Sequence, residues 1–559
     1  MCGIWFTLGN LLACHSPKQW VKTLLARGPE AMQIVTLSGD ITMGFTRLAI
    51  NGCNENGMQP FRKSNTVWMC NGEIYNWRLL AAQHGFTEPS GSDCEVLGDL
   101  YSVYKDNLPA FFRALDGVFT IVLVDLERKQ VIVGRDPYGV RPLFMGTKFL
   151  YKHDNGNTFS IGTSNIMFAS EIKALLHIND TIVPFAPGTY QVWDITTKKM
   201  LLSERYHTTP WLTNPLFTPR NSSGLDMACM SLRFALEEAV AKRMMTERPI
   251  AALLSGGIDS SLIASLVQKQ LHLVGAPPLK TFSIGMPGST DLKYAKKVAE
   301  WIGSDHTEIV LTANDFFKAI PEVIRCIETY DTTTVRASVG NWLVSREICR
   351  QSDAKVVFNG DGSDEVFGSY LYFYNAPSDQ AYEEEVTRLL NDIHLFDVLR
   401  SDRSICSHGL EPRTPFLDKQ FVNVARSIAT CWRRPFKGRQ VEKWILRRAF
   451  DDGMTLPQEV LWRRKEAFSD GVSGHQKSWY EEIQERVGSL VPEDWKEKAE
   501  RSYPHMTPKT AEQFWYRYLF EAEFSKNPVQ TCVHYFWMPR WTPGATDPSA
   551  RTLAVYQEP

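Results

Sequence analysis

The pattern of apolar residues changes character in the low 200s, and that change excludes any single repeated architecture for the chain. Before it, short apolar or β-branched runs occupy 2–8, 41–50, 66–70, 117–125, 131–134 and 189–195, with Gly, Asn, Asp and Pro between them. Such runs read as strands joined by turns, with helical stretches at 17–27 and 95–105. After it, helical segments at 226–246, 261–271 and 291–303 alternate with strand-like segments at 248–254, 280–285 and 306–311. AKVVFNGDG (354–362) is a further strand running into a glycine-rich turn, and the chain beyond about 375 is mainly helical by pattern. The first half therefore predicts an α+β domain with two packed antiparallel sheets. The second predicts an α/β domain with a parallel sheet and a helical C-terminal part. A polar, proline-containing stretch, 207–224, separates them as a linker, giving domains of 2–206 and 225–559.

The 61 basic and 63 acidic residues nearly cancel, leaving a net charge of -2. A nucleic-acid-binding chain would show a basic excess, so that class is excluded, and the basic cluster WRRPFKGR (432–439) reads as solvated surface. No apolar run reaches the length of a membrane span. The 11 cysteines show no CxxC and no zinc-ligand spacing. Together with the lack of a signal-peptide pattern, this predicts reduced thiols and a cytoplasmic location.

LLSGGIDSS (253–261) lies between a predicted strand and a predicted helix that begins near Ser260. Gly256 and Gly257 let backbone N–H groups approach an anion, and the helix adds its positive end. Ser255, Ser260 and Ser261 supply hydroxyls. Asp259 would repel phosphate unless a Mg²⁺ ion lies between them. The loop is not a Walker A motif. FNGDGSDEVFGSY (358–370) ends a neighbouring strand and offers Asp361, Asp364 and Glu365. Ligands bind beyond the carboxyl ends of strands in such sheets, which makes Asp259 and Asp364 a candidate magnesium pair.

At the front end, MCGIW places Cys2 directly after Met1. Removal of Met1 would leave a thiol and an amine of pKa about 7.7–8.0 on one residue, a nucleophile carrying its own base. CNGEIYN (70–76) is read as a tight Asn-Gly turn. There the Asn71 amide and the Gly72 N–H would hold an oxyanion. Arg47, in FTRLAI, suits a bidentate grip on a carboxylate, and Asp93, in GSDCEV, suits an ammonium group. Together they fit the α-carbon end of an amino acid.

The segments MCGIW, RGPE, RLAI, MQP, NGEIYN, LDGVFTIVLVD and GRDPYGVRPL resemble the glutaminase domain of class II amidotransferases. LLSGGIDSSL is similar to the SGGxDS loop of N-type ATP pyrophosphatases. With TFSIGM, ETYDTTTVRAS, GDGSDEVFGSY, GLEPRTPFLD, WRRKEAFSDGV and the ending TDPSARTL, it resembles the glutamine-dependent asparagine synthetases. The resemblance implies an N-terminal-nucleophile fold in which Cys2 attacks glutamine. Arg47, Leu48, Ala49, Ile50, Asn51, Asn71, Gly72, Glu73 and Asp93 match glutamine-binding positions. It further implies ATP bound by Leu254, Ser255, Gly256, Gly257, Asp259, Ser260, Ile284, Asn359 and Gly360. Mg²⁺ would be held by Asp259 and Asp364, and the charge on the phosphates stabilised by Lys465. L-Aspartate, L-glutamine and ATP are then the substrates, β-aspartyl-AMP the intermediate, and ammonia travels between the sites through an internal tunnel. Neither a membrane nor nucleic acid is a partner, and a homodimer is left open.

The chain departs from the family where S-G-E-G becomes Asn359-Gly360-Asp361-Gly362. The replaced glutamate has been tied to adenylate formation. Asp361 keeps its charge with one methylene less reach. Two alternatives stand beside the synthetase reading: a β-lactam synthetase-like enzyme, which Cys2 and the glutamine clamp oppose, and a catalytically altered homologue with a regulatory or scaffolding role. The segment 468–474, next to Lys465, is read as a lid.

Overall fold

In the computed structural model the described residues are 1–9, 16–38, 40–87, 89–154, 157–176, 178–209, 215–218, 223–436, 441–465, 471–474, 477–524 and 532–549. The first half builds two six-stranded antiparallel sheets. Its strands are β1 (Gly3–Leu8), β2 (Ala31–Ser38), β3 (Ile41–Arg47), β4 (Phe61–Lys63), β5 (Thr66–Ile74) and β6 (Gly117–Asp125). They continue with β7 (Gln130–Arg135), β8 (Phe144–Asp154), β9 (Asn157–Ala169), β10 (Thr181–Pro184), β11 (Thr189–Asp194) and β12 (Met200–Arg205). One sheet runs β10-β8-β9-β1-β3-β2 and the other β12-β11-β7-β6-β5-β4.

Strand parity explains how the sheets pack. Alternate side chains of a strand face opposite sides. Ile4, Phe6 and Leu8 of β1 therefore meet Val67 and Met69 of β5 and Val122 and Val124 of β6 in one cluster between the sheets. Trp68 and Cys70, of opposite parity, pack outward with Leu97, Leu100 and Phe111 from the covering helices. Trp5 of β1 also faces outward and joins Trp20 and Leu24 with Ile320, Ile324 and Val339 of the second half. Leu48, Ile50, Val118 and Val140 share a further cluster with Leu232, Leu236 and Phe416. The two halves thus bury apolar surface against each other at two places.

The second half carries a five-stranded sheet, β15-β14-β13-β16-β17, formed by β13 (Ile250–Leu253), β14 (Lys280–Gly285), β15 (Asp305–Val310), β16 (Val356–Phe358) and β17 (Glu411–Arg413). Every pairing in it is parallel. The strand order reverses between β13 and β16, and the crevice at such a switch point is where doubly wound sheets bind ligands.

The expected fold class holds. Several elements differ from the expectation. Helix 17–27 is shorter, spanning Pro17–Lys22. The long β8–β9 hairpin and β17 were not foreseen. The helix after SGG starts at Ile258, with Gly257 as its N-cap, rather than near Ser260. Among the described residues no helix is long and apolar enough to cross a membrane. Of the segment 468–474, read as a lid, residues 468–470 lie outside the described residues, as does the end of TDPSARTL. In the basic cluster, Arg433 pairs with Glu383 and Arg434 with Asp379, so these two bind acids of the protein itself.

Candidate functional site

The first candidate centre forms where β1 begins. The β1–β3 register sets Gly3 opposite Thr46, which brings Cys2 beside Arg47 at the end of β3. Asn71 and Glu73 have the inward parity of Val67 and Met69, so β5 turns both toward Cys2. The Cys2 N–H donates to Asn71 Oδ1 at 3.2 Å, and Cys2 Sγ lies 3.6 Å from the Leu48 carbonyl oxygen. Asn71 Nδ2 is buried and has no partner. A buried amide donor without an acceptor is costly in a folded protein, and it is the group an oxyanion would use.

The Asn-Gly turn expected at 71–72 is not present. Both residues lie inside β5, with Asn71 opposite Thr120 and Gly72 opposite Phe119 of β6. Phe119 turns its own N–H to Asp136 Oδ2 and accepts the Asp136 N–H. Gly72 and Phe119 are therefore a non-hydrogen-bonded pair, and the Gly72 N–H points away from β6. Glycine is required there for space: a Cβ would lie 2.0 Å from the Val118 oxygen.

Arg47 is buried. Its two terminal nitrogens donate to the carbonyl oxygens of Asn54 and Gly52, at 2.7 and 2.5 Å. The guanidinium thus holds the loop that follows Leu48–Asn51 against the centre. Asn51 Nδ2 donates to Glu73 Oε2 at 2.6 Å, and the Ala49 N–H to Glu30 at 2.8 Å. The Ile50 carbonyl accepts the Glu247 N–H from the second half at 2.9 Å. Asp93 is buried, and its Oδ2 accepts the Ile74 N–H at 2.7 Å. Burial pushes the Asp93 carboxyl up from 3.8 to about 6, although that N–H opposes the rise. Glu73 is pushed well above its usual range by burial, and next by Asp93 and Glu411. Burial also raises the Cys2 thiol, against the pull of the N-terminal amine.

The second centre is a cavity of about 210 Å³ at the carboxyl ends of β13 and β16. Leu254, Ser255, Gly257, Asp259, Ser260 and Ile284 line one side, and Asn359, Gly360, Asp361 and Asp364 the other. Gly256 takes φ +73°, and a Cβ on it would meet the Ala295 nitrogen at 2.5 Å. A Cβ on Gly360 would lie 2.7 Å from the Ser260 nitrogen, so the two loops touch through this glycine. The Ser255 and Ser260 hydroxyls are 2.9 Å apart and close the loop on itself. Lys465 reaches Asp364 at 2.6 Å.

Sequence reasoning missed Lys443. This buried lysine stands between the two candidate metal carboxylates, 2.5 Å from Asp259 and 2.7 Å from Asp364. It adopts φ +57°, a left-handed conformation uncommon outside glycine, at the start of helix Trp444–Ala449. RQVEKWIL has no spacing that would single it out. Burial alone would raise Asp364, but Lys443 and Lys465 overcome it and hold the carboxyl far below its usual range. Asp259 Oδ1 is buried without a partner. Two facing carboxylates, one with a buried oxygen that has no partner, suit Mg²⁺, which binds one or two carboxylates together with substrate phosphates. Among the described residues no group of three or more His, Cys, Asp or Glu forms a metal cluster.

Helix Asp397–Cys406 was also missed as part of the site. Its Arg400 pairs with Asp361 at 3.0 Å and with Asp397 at 2.9 Å, and both Asp397 and Arg400 line the cavity. Asp361 Oδ2 is buried and unpaired. Burial raises this carboxyl in spite of Arg400. The Asn359 amide, which stands where the family has serine, donates to the Ser401 hydroxyl at 2.7 Å. Trp537, far along the chain, also lines the cavity.

Two family models match the chain, one on each half. The glutamine amidotransferase domain model matches residues 1–199, and the asparagine synthase model residues 231–387 and 375–531. Asparagine synthetase [glutamine-hydrolyzing] of Gallus gallus is 40% identical over 579 residues, covering 100% of this chain and 99% of that one. The Mus musculus protein of that name is 40% identical over 583 residues, with the same coverage. The Homo sapiens protein is 39% identical over 581 residues, again with 100% and 99% covered. With two domain models matched in series and this identity along its whole length, the chain belongs to the family of glutamine-hydrolysing asparagine synthetases.

Proposed function

We propose that the protein makes L-asparagine from L-aspartate, using ammonia released from L-glutamine and the energy of ATP cleavage to AMP and pyrophosphate. The observation that carries this reading is the joint presence of two centres in one chain: Cys2 set against an unpaired Asn71 amide, and a polar cavity at a parallel-sheet switch point. In the first centre, removal of Met1 would put the α-amine on Cys2, 3.2 Å from Asn71 Oδ1, which would orient it as the base. The Cys2 thiolate would attack the carboxamide, with Asn71 Nδ2 and the Gly72 N–H as oxyanion donors. Arg47 and Asp93 would take the carboxylate and ammonium of glutamine, with Leu48–Asn51 and Glu73 around it. Ammonia leaves, and water releases glutamate from the thioester.

In the second centre, Ser255–Ser260 would cradle pyrophosphate, and Leu254, Ile284, Asn359 and Gly360 would surround the adenosine. Mg²⁺, held by Asp259 and Asp364, would neutralise charge on the phosphates. Lys443 and Lys465 flank Asp364, one at each carboxylate oxygen, and would be suited to the charge that grows on departing pyrophosphate. Asp361 and Arg400 border the space where the aspartate β-carboxylate would attack the α-phosphorus, giving β-aspartyl-AMP, which ammonia then attacks. We read residues 2–206 as the glutaminase domain, 207–224 as a linker and 225–559 as the synthetase domain. A cytoplasmic site and a homodimer belong to the same reading; the ten described cysteines, all free thiols, accord with a reducing compartment.

The test uses purified protein with aspartate, MgATP and either glutamine or ammonium. The expected result is asparagine from both nitrogen sources, and asparagine from ammonium only in Cys2→Ala. Failure with both sources in the unsubstituted protein rejects the reading.

A further inference from the structure

Helix Asp397–Cys406 has residues of both centres bound to its opposite faces. At about 100° per residue, Asp397, Arg400 and Ser401 share one side, and Asp402, Arg403 and Cys406 the other. On the first side, Ser401 accepts the Asn359 amide at 2.7 Å and Arg400 holds Asp361 at 3.0 Å. On the second, Asp402 takes the Arg27 guanidinium through both carboxylate oxygens, at 2.7 and 3.2 Å. The remaining nitrogen of that guanidinium, Nε, donates to the carbonyl oxygen of Cys2 at 3.0 Å. Arg403 fixes the same face to Glu171 of the first half at 3.1 Å and to Glu328 at 2.9 Å. Ser401, Asp402, Arg403 and Arg27 are all buried.

Three consecutive contacts thus join the nucleophile to the adenylation turn: Cys2 to Arg27, Arg27 to Asp402, and Ser401 to Asn359. The last exists because position 359 is an asparagine, whose amide reaches the helix. We propose that this helix couples the two centres, with Asp402 acting through Arg27 as a positioning residue for Cys2 and Ser401 as the point where the helix is tied to the Asn359–Gly362 turn. Filling the adenylation cavity displaces the turn that Ser401 and Arg400 grip, and the rigid helix passes the displacement to the Cys2 backbone. Small displacements suffice, since about 1 Å at a reacting group can change a rate a hundredfold. The proposal rests on the asparagine synthetase reading given above.

The experiment measures glutamate release from glutamine by the full chain, with and without saturating aspartate and MgATP. The expected ratio is about fivefold, the lower range of ordinary coupling between sites. Ser401→Ala and Asp402→Asn should bring that ratio close to one. In Asp402→Asn the loss should appear in kcat for glutamine hydrolysis rather than in KM, because Asp402 touches the nucleophile's support and not glutamine. If the helix joins the two centres, alkylating Cys2 with a diazoketone analogue of glutamine should also shift ATP affinity, and Ser401→Ala should abolish that shift. If Asp402→Asn does not fold, Arg27→Lys replaces it, since lysine can pair with Asp402 but lacks the Nε donor to Cys2. A ratio of one in the unsubstituted protein overturns the proposal, as do variants that keep the full ratio. A protein that makes no asparagine even from ammonium rejects the underlying reading instead, so the two failures are distinguishable.

Discussion

Asn71 shows how one side chain can serve two ends of a reaction. Its oxygen is held by the Cys2 N–H, which fixes the amide plane and leaves the nitrogen buried and unpaired. Asn71→Ala removes the donor and is expected to lower kcat for glutamine hydrolysis about 10²–10³-fold, as loss of one oxyanion donor does elsewhere. Ammonium-dependent synthesis should persist, and steady-state assays with both nitrogen sources check this. Asp93 gives a prediction in pH. Its folded pKa of about 6 lies above the ordinary 3.8 because burial disfavours the charge. The folded state therefore binds this proton more tightly than the unfolded one, so the ionised carboxylate costs stability above about pH 6. If Asp93 must be ionised to hold the ammonium of glutamine, kcat/KM for glutamine falls as pH drops through about 6. That acid limb should be absent from ammonium-dependent synthesis. The same limb in both profiles would remove Asp93 from the role.

Among the elements, the turn 359–362 carries the chain's departure from its family. Asp361 has one oxygen on Arg400 and one buried without a partner, and it faces the cavity. Asp361→Glu extends the carboxylate by one methylene into that space. Aspartate-dependent ATP–pyrophosphate exchange should change about tenfold in rate or Michaelis constant, since geometry at a reacting group has effects of this size. An unchanged exchange reaction would show that Asp361 has no special part in adenylation. The turn also marks what the sequence can and cannot convey. Strand–turn–helix patterning locates Ser255–Ser260 and Asn359–Asp364, because glycine, serine and acid at a strand end have local physical causes. The Asn71–Gly72 pair misleads for the same reason: Asn-Gly favours turns, yet here a β6 partner and the parity of β5 override that preference. Lys443, Arg400 and Asp402 leave no local trace, since their roles arise only where distant segments meet. Strands β8, β9 and β17 were missed because pairing, and not their own composition, fixes them.

At the scale of the molecule, buried charge joins the two halves. Glu171, from the first half, receives Arg27 at 3.0 Å, Lys173 at 2.5 Å and, from the second half, Arg403 at 3.1 Å. Arg27 in turn pairs with Asp402, Arg141 approaches Glu411 at 3.7 Å, and Arg413 approaches Glu73 at 3.6 Å. These contacts, with two shared apolar clusters, make it costly for either half to unfold while the other stays native. We therefore predict one calorimetric unfolding transition for the full chain. Glu171→Gln tests this directly, because it leaves the buried Arg27 and Arg403 and the half-buried Lys173 short of their acceptor. Removing one partner from a buried ionic cluster costs about 3–5 kcal/mol, so the whole transition should move to lower temperature. The sign with pH follows from the same cluster. Burial would raise the Glu171 carboxyl, but Lys173, Arg403 and Arg27 overcome it and hold it well below 4.5. Its contribution is present above the unfolded pKa of about 4.3 and is lost as pH falls toward the folded value, so the gap between parent and Glu171→Gln should narrow in acid. Two separated transitions at neutral pH, with only one displaced by the substitution, would show that the halves unfold independently and that the buried charges do not bind them into one cooperative unit.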